Sequence, residues 1–141
     1  MNMELHIAPH RLISDIQDDF KKVFPFLKLE FFNIRQGTKS GFSARQIIPN
    51  TTKIGEGQQT ITDGHIEILE NMKVKDLEKL LKDQFSLAVQ VFRKSGNLWL
   101  ETTMTDNWTL LQQNTHGREI STEKNVKDTP DDFDLIRDAD R

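Results

Sequence analysis

Apolar residues follow two periods along the chain, and the same order of periods occurs twice. Leu5 and Ile7 alternate with polar residues, as in a short strand. Ile13 and Phe20 then belong to a stripe with helical spacing, and a second alternating run begins at Leu27. The first third of the chain therefore predicts a strand–helix–strand unit.

The second unit begins about sixty residues later. Ile66 and Ile68 repeat the first strand, residues 74–85 repeat the helical stripe, and residues 87–92 repeat the return strand. A shift of sixty-one residues aligns the first strands and helices, and one extra residue near Phe26 reduces the shift to sixty. The pattern predicts an internal duplication in which Phe24 and Phe85 occupy equivalent buried positions.

A single unit of this kind cannot cover both its helix stripe and its sheet face, whereas two units side by side can. We therefore predict an α+β fold: a two-layer sandwich from a tandem β-α-β(β) duplication in a ferredoxin-like arrangement. Units of the β-grasp type are the alternative. The predicted boundaries are repeat unit one with a basic inter-repeat segment (1–60), repeat unit two with a C-terminal hairpin (61–120), and an acidic tail (121–141). Residues 49–59 read as a polar linker, and one helical turn is expected at 110–114.

Four features of the second half of the chain carry a resemblance to other proteins: DLEK at 76–79, LAVQVF at 87–92, Trp99, and WTL at 108–110. On these residues, the region 3–115 resembles a group of small uncharacterised bacterial proteins built from two strand–helix–strand repeats. The resemblance implies the fold, and it implies no cofactor or activity.

Composition restricts the possible chemistry. The 141 residues include no cysteine, which excludes disulfides, thiolate metal sites and a cysteine nucleophile. A hydrophobic fraction of 35% with 29% charged residues is typical of a soluble protein, and no apolar run is long enough for a membrane span. We therefore expect a cytoplasmic protein with no membrane partner.

The charges are unevenly placed. Residues 1–120 carry no net charge, residues 121–141 carry −3, and the inter-repeat segment 34–61 carries +3. Arg35, Lys39 and Arg45 in that segment are candidate contacts to nucleic-acid phosphates, and a solvated loop is the alternative.

No catalytic, cofactor or metal motif is recognisable. His6 and His65 lie in the first strands of the two units, and the alignment places His65 opposite Glu4 and His6 opposite Glu67. Pairing of these strands about a pseudo-two-fold axis would form a mixed His/Glu cluster, and two histidines with two carboxylates can bind zinc. Polar strand positions that face water are the simpler interpretation. We expect no catalytic residue, no metal and no cofactor.

Aromatic and tail residues suggest an interaction surface instead. Trp99 and Trp108 flank a turn-rich region, and we expect at least one to be partly exposed. Residues 129–132 have the composition of a helix start, which places Phe133 and Ile136 on one face of a short helix that docks over segment 34–61. The sequence thus predicts a non-enzymatic protein-interaction scaffold, with a protein partner or a homo-oligomer. A nucleic-acid-associated accessory protein that uses segment 34–61 is the alternative.

Overall fold

Strands and helices lie where the spacing of apolar residues predicts them. The computed structural model of the chain describes residues 2–35, 44–56 and 62–127. The strands are β1 (Met3–Ile7), β2 (Leu27–Arg35), β3 (Ala44–Ile47), β4 (Gly64–Ile68), β5 (Ala88–Ser95) and β6 (Leu98–Glu101). The helices are α1 (Ile13–Val23), α2 (Val74–Phe85) and α3 (Leu110–Lys127), and Thr103–Thr105 form a short 3₁₀-helix. The protein is therefore a mixed α+β structure, as predicted.

The strands are arranged in two antiparallel sheets. One sheet pairs β1 with β4, and the other has the order β3-β2-β5-β6. Each unit therefore places its first strand in the small sheet and its return strand in the large sheet. A ferredoxin-like arrangement requires all of these strands in one sheet, so that finer prediction is not confirmed.

The registers of the two central strand pairs are symmetric. Leu5 lies opposite Ile66 in β1–β4, and Glu30 lies opposite Gln90 in β2–β5. These are the residues that the shifts of sixty-one and sixty superimpose. Each of the two registers is therefore symmetric about the pair of residues that the sequence alignment makes equivalent.

The hydrophobic core lies between the sheets and the helices. Alternation along β2 buries Leu29 and leaves Lys28 and Glu30 on the opposite face. Phe24 is fully buried and Phe85 is 7% exposed, which agrees with the equivalent buried positions predicted for them. The largest fully buried side chains come from both units: Phe20, Phe24, Phe31, Leu5, Ile7, Ile13, Ile16, Leu27, Leu29, Ile68, Leu77 and Leu81.

In each unit, a short segment that follows the large-sheet hairpin forms backbone hydrogen bonds with the residues at the start of the helix, and we call this segment the clasp. In unit one this clasp is residues 50–54, and in unit two it is residues 106–110. The N–H of Ile13 donates to the carbonyl of Thr52 at 3.0 Å, and the N–H of Val74 donates to Trp108 at 3.0 Å. Three further backbone N–H to C=O hydrogen bonds of unit one have an equivalent in unit two. In unit one, Ser14 donates to Asn50, Ile54 donates to Arg11, and Gly55 donates to Pro9. In unit two, in the same order, Lys75 donates to Asp106, Leu110 donates to Met72, and Leu111 donates to Glu70.

The clasp corrects the prediction of a linker at 49–59, as far as residues 49–56 are described. Ile54 is only 5% exposed and belongs to the core. A Cβ atom on Gly55 would lie 2.6 Å from Cβ of Pro9, so glycine permits the close approach of these two segments. Ile54 is the one buried apolar residue in this otherwise polar segment, so composition alone predicted a linker.

Helix α3 corrects the prediction of one helical turn followed by a tail from Ser121. The helix continues to Lys127, and Ser121 is buried with its Oγ accepting the N–H of Gly96 at 3.1 Å. Its buried face is largely polar, because Gln113 and Asn114 are also buried. Gly117 brings the helix close to the sheet, where an added Cβ would lie 3.0 Å from Cγ of Arg93. The spacing of apolar residues therefore does not indicate such a helix.

Candidate functional site

Trp99 lies at the centre of a cluster of lysines on the large sheet. It is half-buried on β6 and pairs with Lys94 of β5. The Nζ atoms of Lys21 and Lys28 lie 5.3 Å from the centroid of its ring, and that of Lys94 lies at 6.0 Å. Helix α1 and strands β2 and β5 each contribute one cation, so three elements converge on one indole ring.

The lysine–tryptophan cluster borders an open cleft. The cleft has a volume of about 390 Å³, and its walls include Lys21, Lys28, Glu30, Ile47 and Trp99. Sheet alternation places Lys28 and Glu30 on the face of β2 that points away from the core. The cleft therefore combines cations, an aromatic ring and an exposed aliphatic side chain.

The charges in the cleft are only partly balanced. Nζ of Lys28 forms an ion pair with Oε2 of Glu30 at 2.9 Å, and Asp18 supplies a second carboxylate to the wall. Within the part of the chain that the structure describes, Lys21 and Lys94 form no ion pair. Three ammonium groups around one ring repel each other, and the negative face of the indole offsets that repulsion only in part.

Strand β6 presents different chemistry on its other face. Successive side chains of a strand point to opposite faces, so Leu98 and Leu100 point away from Trp99. They are 63% and 42% exposed. Four of the five large apolar side chains exposed in the described residues lie between 98 and 111: Leu98, Leu100, Met104 and Leu111.

Trp108 lies at a separate place. Its ring meets His116 edge to face, with centroids 5.6 Å apart, and both residues line a shallow groove of about 360 Å³ on α3 with Leu111. Trp108 is half-buried, so both tryptophans are partly exposed as expected. The two predicted interaction residues nevertheless line different clefts.

No protein-family model, curated protein or solved structure matches this chain. Its function is therefore inferred from the geometry of its own residues.

The predicted phosphate-contacting residues and the tail residues are described only in part. Arg35 ends β2 and Arg45 lies in β3, but the structure describes only their backbone. Lys39, Phe133 and Ile136 lie outside the described residues. The predicted phosphate contacts and the docking of the tail therefore stay predictions.

The histidines pair differently from the predicted mixed His/Glu cluster. His6 lies opposite His65, and Glu4 lies opposite Glu67. The two imidazole rings stack with centroids 4.5 Å apart, and Nε2 of His6 lies 2.7 Å from Oδ1 of Asp63. Within residues 2–35, 44–56 and 62–127, no group of three or more His, Asp or Glu residues is arranged to hold a metal ion.

The resolved pKa shifts have local structural causes. The hydrogen bond with His6 lowers the pKa of the exposed Asp63, and the hydrogen bond with Asp83 raises the pKa of the exposed Lys79. Burial lowers the pKa of Arg93, whose Nη1 donates to Oε1 of Gln113 at 2.8 Å. These three groups lie apart from the walls of the lysine–tryptophan cleft.

None of the helices, as far as the chain is described, is long and apolar enough to cross a membrane.

Proposed function

We propose that this chain is a non-enzymatic interaction scaffold that associates through the outer edge of β6. The observation that supports the proposal is the exposure of Leu98 and Leu100 on β6, an outermost strand of the large sheet in the described part of the chain. An outermost strand presents unpaired N–H and C=O groups that can pair with another chain. Apolar side chains on such a strand add a hydrophobic contribution to that pairing.

The two edges of the large sheet differ in the apolar side chains that they expose. Strand β3 has the sequence ARQI, and among its described side chains one large apolar group, that of Ile47, is exposed. Strand β6 has the sequence LWLE and exposes two leucines, Leu98 and Leu100, beside one charged residue, Glu101. The larger apolar contribution favours β6 as the edge that accepts a partner.

The partner that fits this edge best is a second copy of the chain. In antiparallel pairing about a two-fold axis perpendicular to the sheet, directly opposed residues share a face. If Trp99 opposes the Trp99 of the second copy, Leu98 of each copy opposes Leu100 of the other. This register buries four leucines against each other, so the edge is complementary to itself.

The body that carries this edge is, in our proposal, a duplicated two-layer sandwich. The symmetric registers of β1–β4 and β2–β5 and the two clasps support this interpretation. The alternative function, nucleic-acid association through Arg35, Lys39 and Arg45, stays a prediction.

Light scattering after size-exclusion chromatography tests the association. We expect the wild-type chain to form dimers over a concentration series. The double variant Leu98→Lys with Leu100→Lys should be monomeric, because it places charge on the edge and removes the leucine contacts.

Met104→Lys is the matched control, because Met104 is 94% exposed but lies outside β6. This variant should dimerise like the wild type. A wild-type monomer at every concentration would refute the proposal, and so would equal disruption by Met104→Lys.

A further inference from the structure

The face of β6 opposite the leucines carries Trp99, and the inference drawn from it does not rest on the proposed association through the edge. Trp99 is in contact with three lysines and borders a cleft of about 390 Å³. A cleft of this size is within the range that binds small molecules. Its wall combines positive charge with the face of an aromatic ring.

The arrangement of these groups defines the kind of ligand that fits. Lys21 and Lys94 have no carboxylate partner among the described residues, so an incoming anion relieves their mutual repulsion. The indole ring offers a flat surface on which another aromatic ring stacks. A ligand that has both an anionic group and an aromatic ring satisfies both features.

We propose that this cleft binds a nucleotide, with its phosphate on Lys21, Lys28 and Lys94 and its base stacked on Trp99. Long lysine side chains rotate from the ring onto phosphate oxygens, and the ring face is then available to the base. Basic grooves with aromatic platforms bind single-stranded nucleic acids in this way. The same chemistry is found in a free mononucleotide and in a nucleotide of a single strand.

The carboxylates in the cleft limit the area that can contact a phosphate. Glu30 pairs with Lys28, and Asp18 lies on the same wall, so the two lysines and two carboxylates of the wall cancel and Lys94 beside the ring gives the cluster a net charge of +1. Lys21 on the wall and Lys94 beside the ring form no ion pair among the described residues, so they are the cations available to a phosphate. A cleft of about 390 Å³ is also too small to hold a duplex.

Fluorescence of Trp99 in the full-length chain tests the proposal. A Trp108→Phe background leaves Trp99 as the single tryptophan, and Trp108 lies in a different groove. The probes are a short oligothymidine, thymidine monophosphate, inorganic phosphate and a polyglutamate peptide. We expect one or both thymidine probes to quench the emission, with an affinity that falls as salt is raised.

Variants of the cleft locate the contacts. Lys21→Gln and Lys94→Gln should each weaken binding about tenfold, as expected for a lost charged hydrogen bond. In the same Trp108→Phe chain, Trp99→Leu should weaken binding of a labelled oligothymidine about tenfold or more, measured by anisotropy. Lys22→Gln is the matched control, because Lys22 lies next to Lys21 on α1 but is 77% exposed and pairs with Asp19. It should bind like the background chain.

The probes distinguish the sources of the ligand. Tighter binding of oligothymidine than of the monophosphate supports a single-stranded nucleic acid, and equal binding supports a free nucleotide. Binding of inorganic phosphate or polyglutamate as tight as that of both thymidine probes overturns the proposal, because the base then contributes nothing. An unchanged emission with every probe overturns it as well, as does equal weakening by Lys22→Gln.

Discussion

The two units of this chain share their buried contacts and differ in their exposed side chains. Ile54 and Leu110 anchor equivalent clasps, and both are buried. The register of the two hairpins places Trp99 at the strand position that Arg45 has in unit one. Equivalent buried contacts therefore occur in both units, whereas the cleft combines Trp99 of unit two with wall residues of unit one such as Lys21 and Lys28.

The clasps show the same contrast at a single position. Thr52 in unit one and Trp108 in unit two use their carbonyl groups identically, each accepting an N–H from the start of a helix. Their side chains differ, and Trp108 lines the groove on α3 with His116. Backbone contacts therefore leave the side chain at this position available for other roles.

Truncation of the equivalent phenylalanines should have the largest effect on stability. Phe24→Ala and Phe85→Ala each remove a buried ring, so each should lower the free energy of unfolding by about 3–5 kcal/mol. Denaturation with urea, followed by circular dichroism, measures the loss. A small loss for one variant and a large loss for the other would break the equivalence of the units.

The clasp anchors should follow closely. Ile54→Ala and Leu110→Ala should each cost about 2–5 kcal/mol, because both side chains are buried in the same core. Leu111→Ala is the control, since Leu111 is 40% exposed, and it should cost much less. If Ile54→Ala lowers the free energy of unfolding no more than the control does, residues 50–54 behave as a linker, and the interpretation of this segment as a clasp is wrong.

These positions also show what the sequence could predict. The strands and the first two helices follow from the spacing of residues such as Leu5, Ile16 and Leu77, because each element buries one apolar stripe. Ile54 was missed because one apolar residue among polar neighbours has no period. The predicted length of helix α3 was too short because its buried residues include Gln113 and Ser121. These polar side chains form hydrogen bonds in the interior, and the spacing of apolar residues does not indicate them.

The candidate site was predictable only in part. A two-residue turn at Gly96 and Asn97 is sufficient to pair Lys94 with Trp99, and that turn is visible in the sequence. Lys28 and Lys21 reach the same ring only through the β2–β5 register and the position of α1. Those are tertiary features, so no local pattern indicates them.

The smallest expected effect concerns Asp63, which precedes the first strand of unit two where unit one has Asn2. The folded protein lowers the pKa of Asp63 below its ordinary value of 3.8. Its contribution to stability is therefore present above that value and is lost as the pH falls through the lowered pKa. Asp63→Asn should be slightly less stable than the wild type at neutral pH, and urea denaturation should show the difference disappearing in acid. A difference that does not change with pH would contradict this assignment.

Amide hydrogen exchange tests the central claim, which is that both units have the same clasped architecture. The clasp hydrogen bonds connect backbone groups, so side-chain differences between the units do not affect which amides are protected. We predict slow exchange at both members of each equivalent pair. Rapid exchange in unit one beside slow exchange in unit two would contradict the account. The pairs to compare are Ile13 with Val74, Ser14 with Lys75, and Ile54 with Leu110.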